Sequence, residues 1–238
     1  MSIFRTTSQQ CPACATTVDF EAVFSVNADR RPDLRADILD DSFQEQPCPN
    51  CGKAFRLDPE FNLLDTQRGQ WIAAAPLNSM RHWKATEDQA KLLFDRAYGP
   101  EAAEVAQEIG SKLRPRVTFG WPALREKLLA HDHELDDVTL ELCKAYIMRS
   151  VDSPIAAESE LRLLDVEGDQ LSFGWLLSAD GSLGPTMKVA RSLYDQIAAD
   201  ADGDWEELRE EVSAGYFVDI NRLMMAPASS AAALPAAE

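Results

Sequence analysis

Cys11-Pro12-Ala13-Cys14 and Cys48-Pro49-Asn50-Cys51 decide how the first third of this chain folds. Each motif puts two thiols within one tight turn, and thirty-three residues lie between the motifs. Paired CxxC turns aim backbone N–H groups at sulfur while both thiols reach one ion, and four thiolates fill the tetrahedral shell of zinc. A proline inside each pair restricts the unfolded turn and lowers the entropy lost on binding. With every position taken by sulfur, no place is left for water or substrate. One structural Zn2+ held by Cys11, Cys14, Cys48 and Cys51 is therefore expected. Iron suits the same ligands, and two other readings stay open: a redox CxxC, which needs a strand–helix–strand context, and cysteines that retain no metal.

Outward from the first pair, Val18, Phe20, Ala22, Phe24 and Val26 alternate with mostly polar neighbours, the pattern of a half-buried strand. Pro32 and Asp33 open a short helix that keeps Leu34, Ile38 and Leu39 on one face. Gly52 follows the second pair, where positive φ is tolerated as the knuckle turns back. Residues 54–57 and 68–76 read as strands separated by an Asp58-Pro59 turn. Residues 1–78 thus read as a zinc-stapled, β-rich module with zinc-ribbon or rubredoxin-like knuckles and one inserted helix.

Residues 79–151 are helical in pattern, with helices over 85–98, from Pro100 through Ile109, over 122–131, and from an Asp136-Asp137 cap through Met148. Residues 152–225 form an acidic C-terminal part. It opens with a β-hairpin over 160–166 and 170–177 around Gly168, followed by helices over 189–197 and 206–212. Residues 226–238, rich in Ala, Ser and Pro without periodicity, read as a disordered tail. The fold class is α+β.

Several of these elements occur in a known order. The N-terminal Cys-Pro-Ala-Cys, a strand, the Pro32-Asp33-Leu34 helix, Cys-Pro-Asn-Cys-Gly, and the strand ending at Pro76 resemble the CpXC domain. The stretches Arg116-Val117-Thr118-Phe119-Gly120, Leu124-Arg125-Glu126-Lys127 and Leu135-Asp136-Asp137 are similar to longer members, so the resemblance covers roughly residues 8–150. It implies metal-binding cysteines at 11, 14, 48 and 51 and no reaction. Ala15 departs from the pattern, since glycine is common after the first pair.

The net charge of −17 sits mainly in residues 151–238, which carry 5 basic and 17 acidic side chains. Nucleic-acid binding depends on cations that neutralise phosphates, so it is disfavoured, although Lys112, Arg114 and Arg116 make one local basic patch. No apolar run reaches the ~20 residues that span a bilayer, and the polar start lacks the apolar stretch of a secretory signal. A cytoplasmic protein with a protein partner and no membrane contact is expected, and its oligomeric state is left open.

Other constellations carry less. His131-Asp132-His133-Glu134 lacks the i, i+4 spacing that puts two histidines on one helical face. Asp200, Asp202, Asp204, Glu206 and Glu211 match ligand positions of a calcium loop, but Trp205 stands where its sharp turn requires glycine. Cys143 reads as a small buried hydrophobe, and Trp71, Trp83, Trp121, Trp175 and Trp205 as packing residues. No nucleophile elbow, phosphate-binding glycine loop, dinucleotide fingerprint or HExxH motif is present. The leading expectation is a zinc-stabilised, non-enzymatic interaction or regulatory protein. An enzyme with its site between the helical middle and the C-terminal part is the alternative, and a nucleic-acid-associated factor the second.

Overall fold

A computed structural model describes residues 2–150, 159–177, 182–200 and 203–225. The expected tail at 226–238 lies outside the described residues. A five-stranded mixed sheet in the order β1-β2-β5-β6-β7 forms the first layer. Its strands are β1 (Ile3–Gln10), β2 (Thr17–Asn27), β5 (Phe61–Asp65), β6 (Gln70–Ala75) and β7 (Arg114–Phe119). β2 and β5 run parallel, as do β6 and β7, while β5 and β6 are antiparallel. The two crossovers therefore move the same way across the sheet from strands of opposite direction. Right-handed crossovers of that kind put their helices on opposite faces.

The packing follows that rule. α1 (Pro32–Leu39), in the first crossover, places Leu34 and Ile38 against Val23, Val26 and Ile72. α2 (Trp83–Tyr98), in the second, packs Trp83 and Ala90 on Trp71 and Ala73 of the other face. The alternation of Trp71, Ile72, Ala73 and Ala74 between the two cores is the period-two geometry of a strand buried on both sides. α3 (Glu104–Gly110) starts four residues later than Pro100 suggests, and leaves Val105 exposed.

From β7 the chain enters α4 (Gly120–Asp132), then α5 (Asp137–Ser150). Asp136 caps α5 as expected, accepting hydrogen bonds from the backbone N–H and hydroxyl of Thr139. The expected C-terminal hairpin is present as β8 (Ser159–Glu167) and β9 (Gln170–Leu177), and is joined by β10 (Leu183–Ala190) into an antiparallel sheet. Helix α6 (Arg191–Ala199) therefore begins later than residue 189, because Val189 and Ala190 still pair with Leu171 and Gln170. α7 (Glu206–Ser213) and the short α8 (Asn221–Met224) complete the described residues.

α4 is shared by both sheets. Trp121, Leu124 and Leu128 enter the core on the first sheet, whereas Leu129 and Ala130 join Leu161, Leu163 and Phe173 of the second. Between them lies a buried ionic network. Lys144 contacts Glu126 at 2.7 Å and Glu141 at 2.8 Å, and Lys127 contacts Asp137 at 3.2 Å. Arg162 contacts Glu126 at 3.1 Å, Glu160 at 2.5 Å and Asp219 at 2.6 Å. With Arg116 on Asp137, five carboxylates face four cations. Burial opposes the charge of Glu126, but Lys144 and Arg162 outweigh it and hold its carboxyl below the usual range. Glu141 moves the other way: burial, with the carboxylates of Asp219 and Glu126 nearby, pushes its carboxyl up. One acid of the surplus is thus the easiest to protonate.

Candidate metal centre

Both cysteine pairs are hairpin turns. The first joins β1 to β2, whose last pair is Gln10 with Thr17. The second joins β3 (Glu45–Pro47) to β4 (Ala54–Arg56), paired from Glu45 with Arg56 to Pro47 with Ala54. The backbone repeats in the two knuckles. Ala15 N–H donates to Cys11 O and Gly52 N–H to Cys48 O, each at 2.9 Å. Cys11 N–H donates to Thr16 O and Cys48 N–H to Lys53 O, again at 2.9 Å. The loop reverses through a left-handed residue in each, Ala15 at φ 57° and Gly52 at φ 73°. The second is where glycine was expected. The first is the position where this chain carries alanine.

The small hairpin is held against β2 by side chains. Gln44 donates to Glu21 O and accepts from Val23 N–H, and Gln46 donates to Asp19 O. Beneath the knuckles, Val18, Phe20 and Leu57 form a small core of their own, and Phe20 meets Phe55 edge to face at 5.1 Å. A lone two-stranded hairpin is marginal in water, so β3–β4 gains from any further link to β2.

That link is the sulfur cluster. Cys11 Sγ lies 3.7 Å from Cys51 Sγ, and Cys14 Sγ 3.6 Å from Cys48 Sγ. All four ligand atoms fall within 4.8 Å of one another. Tetrahedral zinc with bonds of ~2.3 Å separates its sulfurs by about 3.8 Å, so the spacing fits one ion. All five cysteines are free thiols, and these separations far exceed a disulfide bond of ~2.05 Å. The electrostatics agree with a cation site. Hydrogen bonding from Thr16 lowers the Cys14 thiol to about 5. Cys51 is pushed up to about 11: the Lys53 N–H favours its thiolate, but desolvation and the sulfurs of Cys14, Cys11 and Cys48 outweigh it. Sulfurs this close cannot all ionise without a positive charge among them.

A CpXC protein family model matches residues 9–144. The chain belongs to the CpXC family. The match takes in both knuckles, both crossovers, α4 and the first half of α5, and stops before the second sheet. Comparison with curated proteins and comparison with solved structures each returned no significant match.

The remaining candidates fall out as packing or surface. Among the described residues, the four cysteines are the one group of three or more His, Cys, Asp or Glu side chains that converge as ligands. His131 and Asp132 end α4 and His133 follows, with Asp132 engaged by Arg35 at 2.7 Å. Of the acidic run, Asp202 lies outside the described residues, and Glu206 and Glu211 belong to α7. Cys143 is 1% exposed, and burial pushes its thiol up to about 12. Trp71, Trp83, Trp121 and Trp175 are all buried, and Trp205 is half-buried against the second core. None of the helices among the described residues is long and apolar enough to cross a membrane.

One constellation was only half visible beforehand. Arg114 and Arg116 lie two apart on β7, opposite Gln70 and Ile72 of β6, so the four share one face of the sheet. There they line a cleft with Lys127 and His131 of α4 and Asp137 of α5. The basic patch was legible in sequence, but the buried partners that turn it into a concave site come from α4 and α5.

Proposed function

We propose that this CpXC protein is a zinc-stabilised, non-enzymatic interaction or regulatory protein whose metal is a scaffold. The observation that carries the reading is the convergence of Cys11, Cys14, Cys48 and Cys51 within 4.8 Å, because four sulfurs complete the coordination of zinc and leave no site for a reacting group. Zinc would fasten the β3–β4 hairpin and its crossover to the β1–β2 hairpin, a long connection that sheet pairing alone secures weakly. The surroundings support a structural role: the cluster rests on its own small hydrophobic core, none of whose residues lines the cleft or joins the ionic network.

Cobalt substitution tests this directly. The Co2+ form should show intense thiolate charge transfer and tetrahedral visible bands, unchanged by added imidazole or cyanide. Bands that shift on ligand addition would reveal an open position and overturn the scaffold reading.

A further inference from the structure

We propose that the cleft between β6–β7 and the facing ends of α4 and α5 binds a small phosphate monoester that carries a hydroxyl group. This site is separate from the cysteines and does not rest on the nature of their metal. The cleft encloses about 370 Å3, within the ~300–1,000 Å3 typical of small-molecule sites. Its lining brings Arg68, Lys112, Arg114, Arg116 and Lys127 together around one carboxylate, Asp137. In a chain of net charge −17, a concave lining of five cations and one carboxylate is a local departure, with the acidic partners of Arg68, Lys112 and Arg114 standing outside the lining.

The cations divide into a fixed floor and an open mouth. Arg116 is clamped on Asp137 at 2.6 and 3.0 Å, and Lys127 reaches Asp137 at 3.2 Å and Val218 O at 2.6 Å. These two supply field. Arg68, Lys112 and Arg114 stand at the mouth, each 43% or more exposed and each with an acidic neighbour, Asp65, Glu108 and Asp136 respectively. Arg114 uses only Nη1 for its ion pairs, and a guanidinium has five N–H donors, so donors remain. The mouth is also rigid. Arg114 N–H donates to Gly69 O at 2.7 Å, and a Cβ at Gly69 would stand 2.8 Å from Lys112 O.

Gln70 supplies a second, independent observation. It is only 8% exposed, it lines the cleft, and its Oε1 is buried without a hydrogen-bond partner. Its Nε2 reaches Lys127 O at 3.5 Å, the long limit of a hydrogen bond. A buried, unmet carbonyl oxygen destabilises the folded state. That oxygen is itself closed to solvent, so a ligand hydroxyl would satisfy it by turning the weakly held Gln70 amide toward the cleft. Three cations approaching from the β5–β6 turn, the α3–β7 link and β7 suit a tetrahedral dianion with three terminal oxygens better than a planar carboxylate. A nucleic-acid strand fits less well, since Glu108, Asp132 and Asp136, the accessible acidic partners of Lys112, Arg68 and Arg114, would repel a continuous phosphate backbone.

Calorimetric titration of the full chain with inorganic phosphate, glycerol 3-phosphate and ribose 5-phosphate tests the proposal, with malate and a single-stranded RNA of about 20 nucleotides as comparisons. The esters should bind saturably at one site, more tightly than malate. Arg114→Gln and Lys112→Gln, both at exposed side chains, should each weaken them about tenfold. Gln70→Leu should weaken the hydroxylated esters and leave inorganic phosphate unaffected, while the thermal midpoint of the free protein holds or rises. Three results would overturn the proposal: no saturation by about 10 mM of any phosphate, malate binding as tightly as the esters, or ester affinity unmoved by Arg114→Gln. RNA binding more tightly than the esters, with a steep salt dependence, would overturn it in favour of a nucleic-acid site.

Discussion

Arg162 Nη1 and Asp219 Oδ2 lie 2.6 Å apart with both side chains 3% exposed or less. Arg162 belongs to β8 and Asp219 precedes α8, yet the same guanidinium nitrogen reaches Glu126 of α4 at 3.1 Å. The pair therefore locks the C-terminal segment onto the part of the chain that the family model spans. Removing one partner leaves the other charged and buried, which costs about 3–5 kcal/mol. Arg162→Met or Asp219→Asn should lower the urea-unfolding free energy by that amount. The double variant Arg162→Met/Asp219→Asn should lose less than the sum of the singles. Additive losses would show that the two residues act independently.

Glu126 and Glu141 make opposite predictions although both contact Lys144. Glu126 is held ionised by Lys144 and Arg162 against its burial, and it also accepts from the Leu163 N–H at 2.6 Å. Glu141, raised by burial and by its acidic neighbours, is the strained member. At pH 7 Glu126→Gln should destabilise by about 3 kcal/mol or more, and Glu141→Gln by about 1 kcal/mol or less. Equal losses in chemical denaturation would contradict this division.

Acid should weaken the protein in a defined window. Asp137 is opposed by burial but held well below the usual carboxylate range by Lys127 and Arg116, and Asp219 likewise by Arg162 and Lys144. A depressed folded-state pKa adds stability above the unfolded value, near 4, and that stability is lost as the pH falls through and below it. The stability gap between wild type and Asp137→Asn should thus narrow as the pH falls from about 5 to about 2. A constant gap over that range would show that Asp137 is not a fixed anion.

Ala15 occupies the left-handed position that Gly52 takes in the other knuckle, at φ 57°. A non-glycine residue there costs about 1–2 kcal/mol. Ala15→Gly should therefore raise stability by about 1 kcal/mol without changing the sulfur cluster, while Gly52→Ala should lower it by a similar amount. Thermal unfolding of the two variants reads both signs.

These positions show where the sequence was legible. The knuckles, α1, β6, the α5 cap and the β8–β9 hairpin each carry a local signature, such as paired cysteines, a proline at a helix start or a glycine turn. β1 was not legible, because it is an edge strand with seven of its eight residues exposed and so lacks alternation. Phe24 was expected inside but is exposed: the ladder steps from Val23–Phe4 to Ser25–Ile3, and this bulge turns Val23 inward in its place. β7 was hidden by Pro115, and β10 by the absence of any buried residue along it. The cleft needed three dimensions, since Gln70, Arg116, Lys127 and Asp137 come from four elements that meet only when α4 lies between the two sheets.

Metal analysis of freshly purified, reduced protein, prepared without added metal, tests the central claim most directly. The account predicts about one zinc per chain, absent from a Cys48→Ser variant that loses hydrogen-exchange protection over residues 10–20 and 44–57 while keeping it in α4 and α5. A metal content near zero, or a wild-type level of zinc retained after Cys48→Ser, would contradict it.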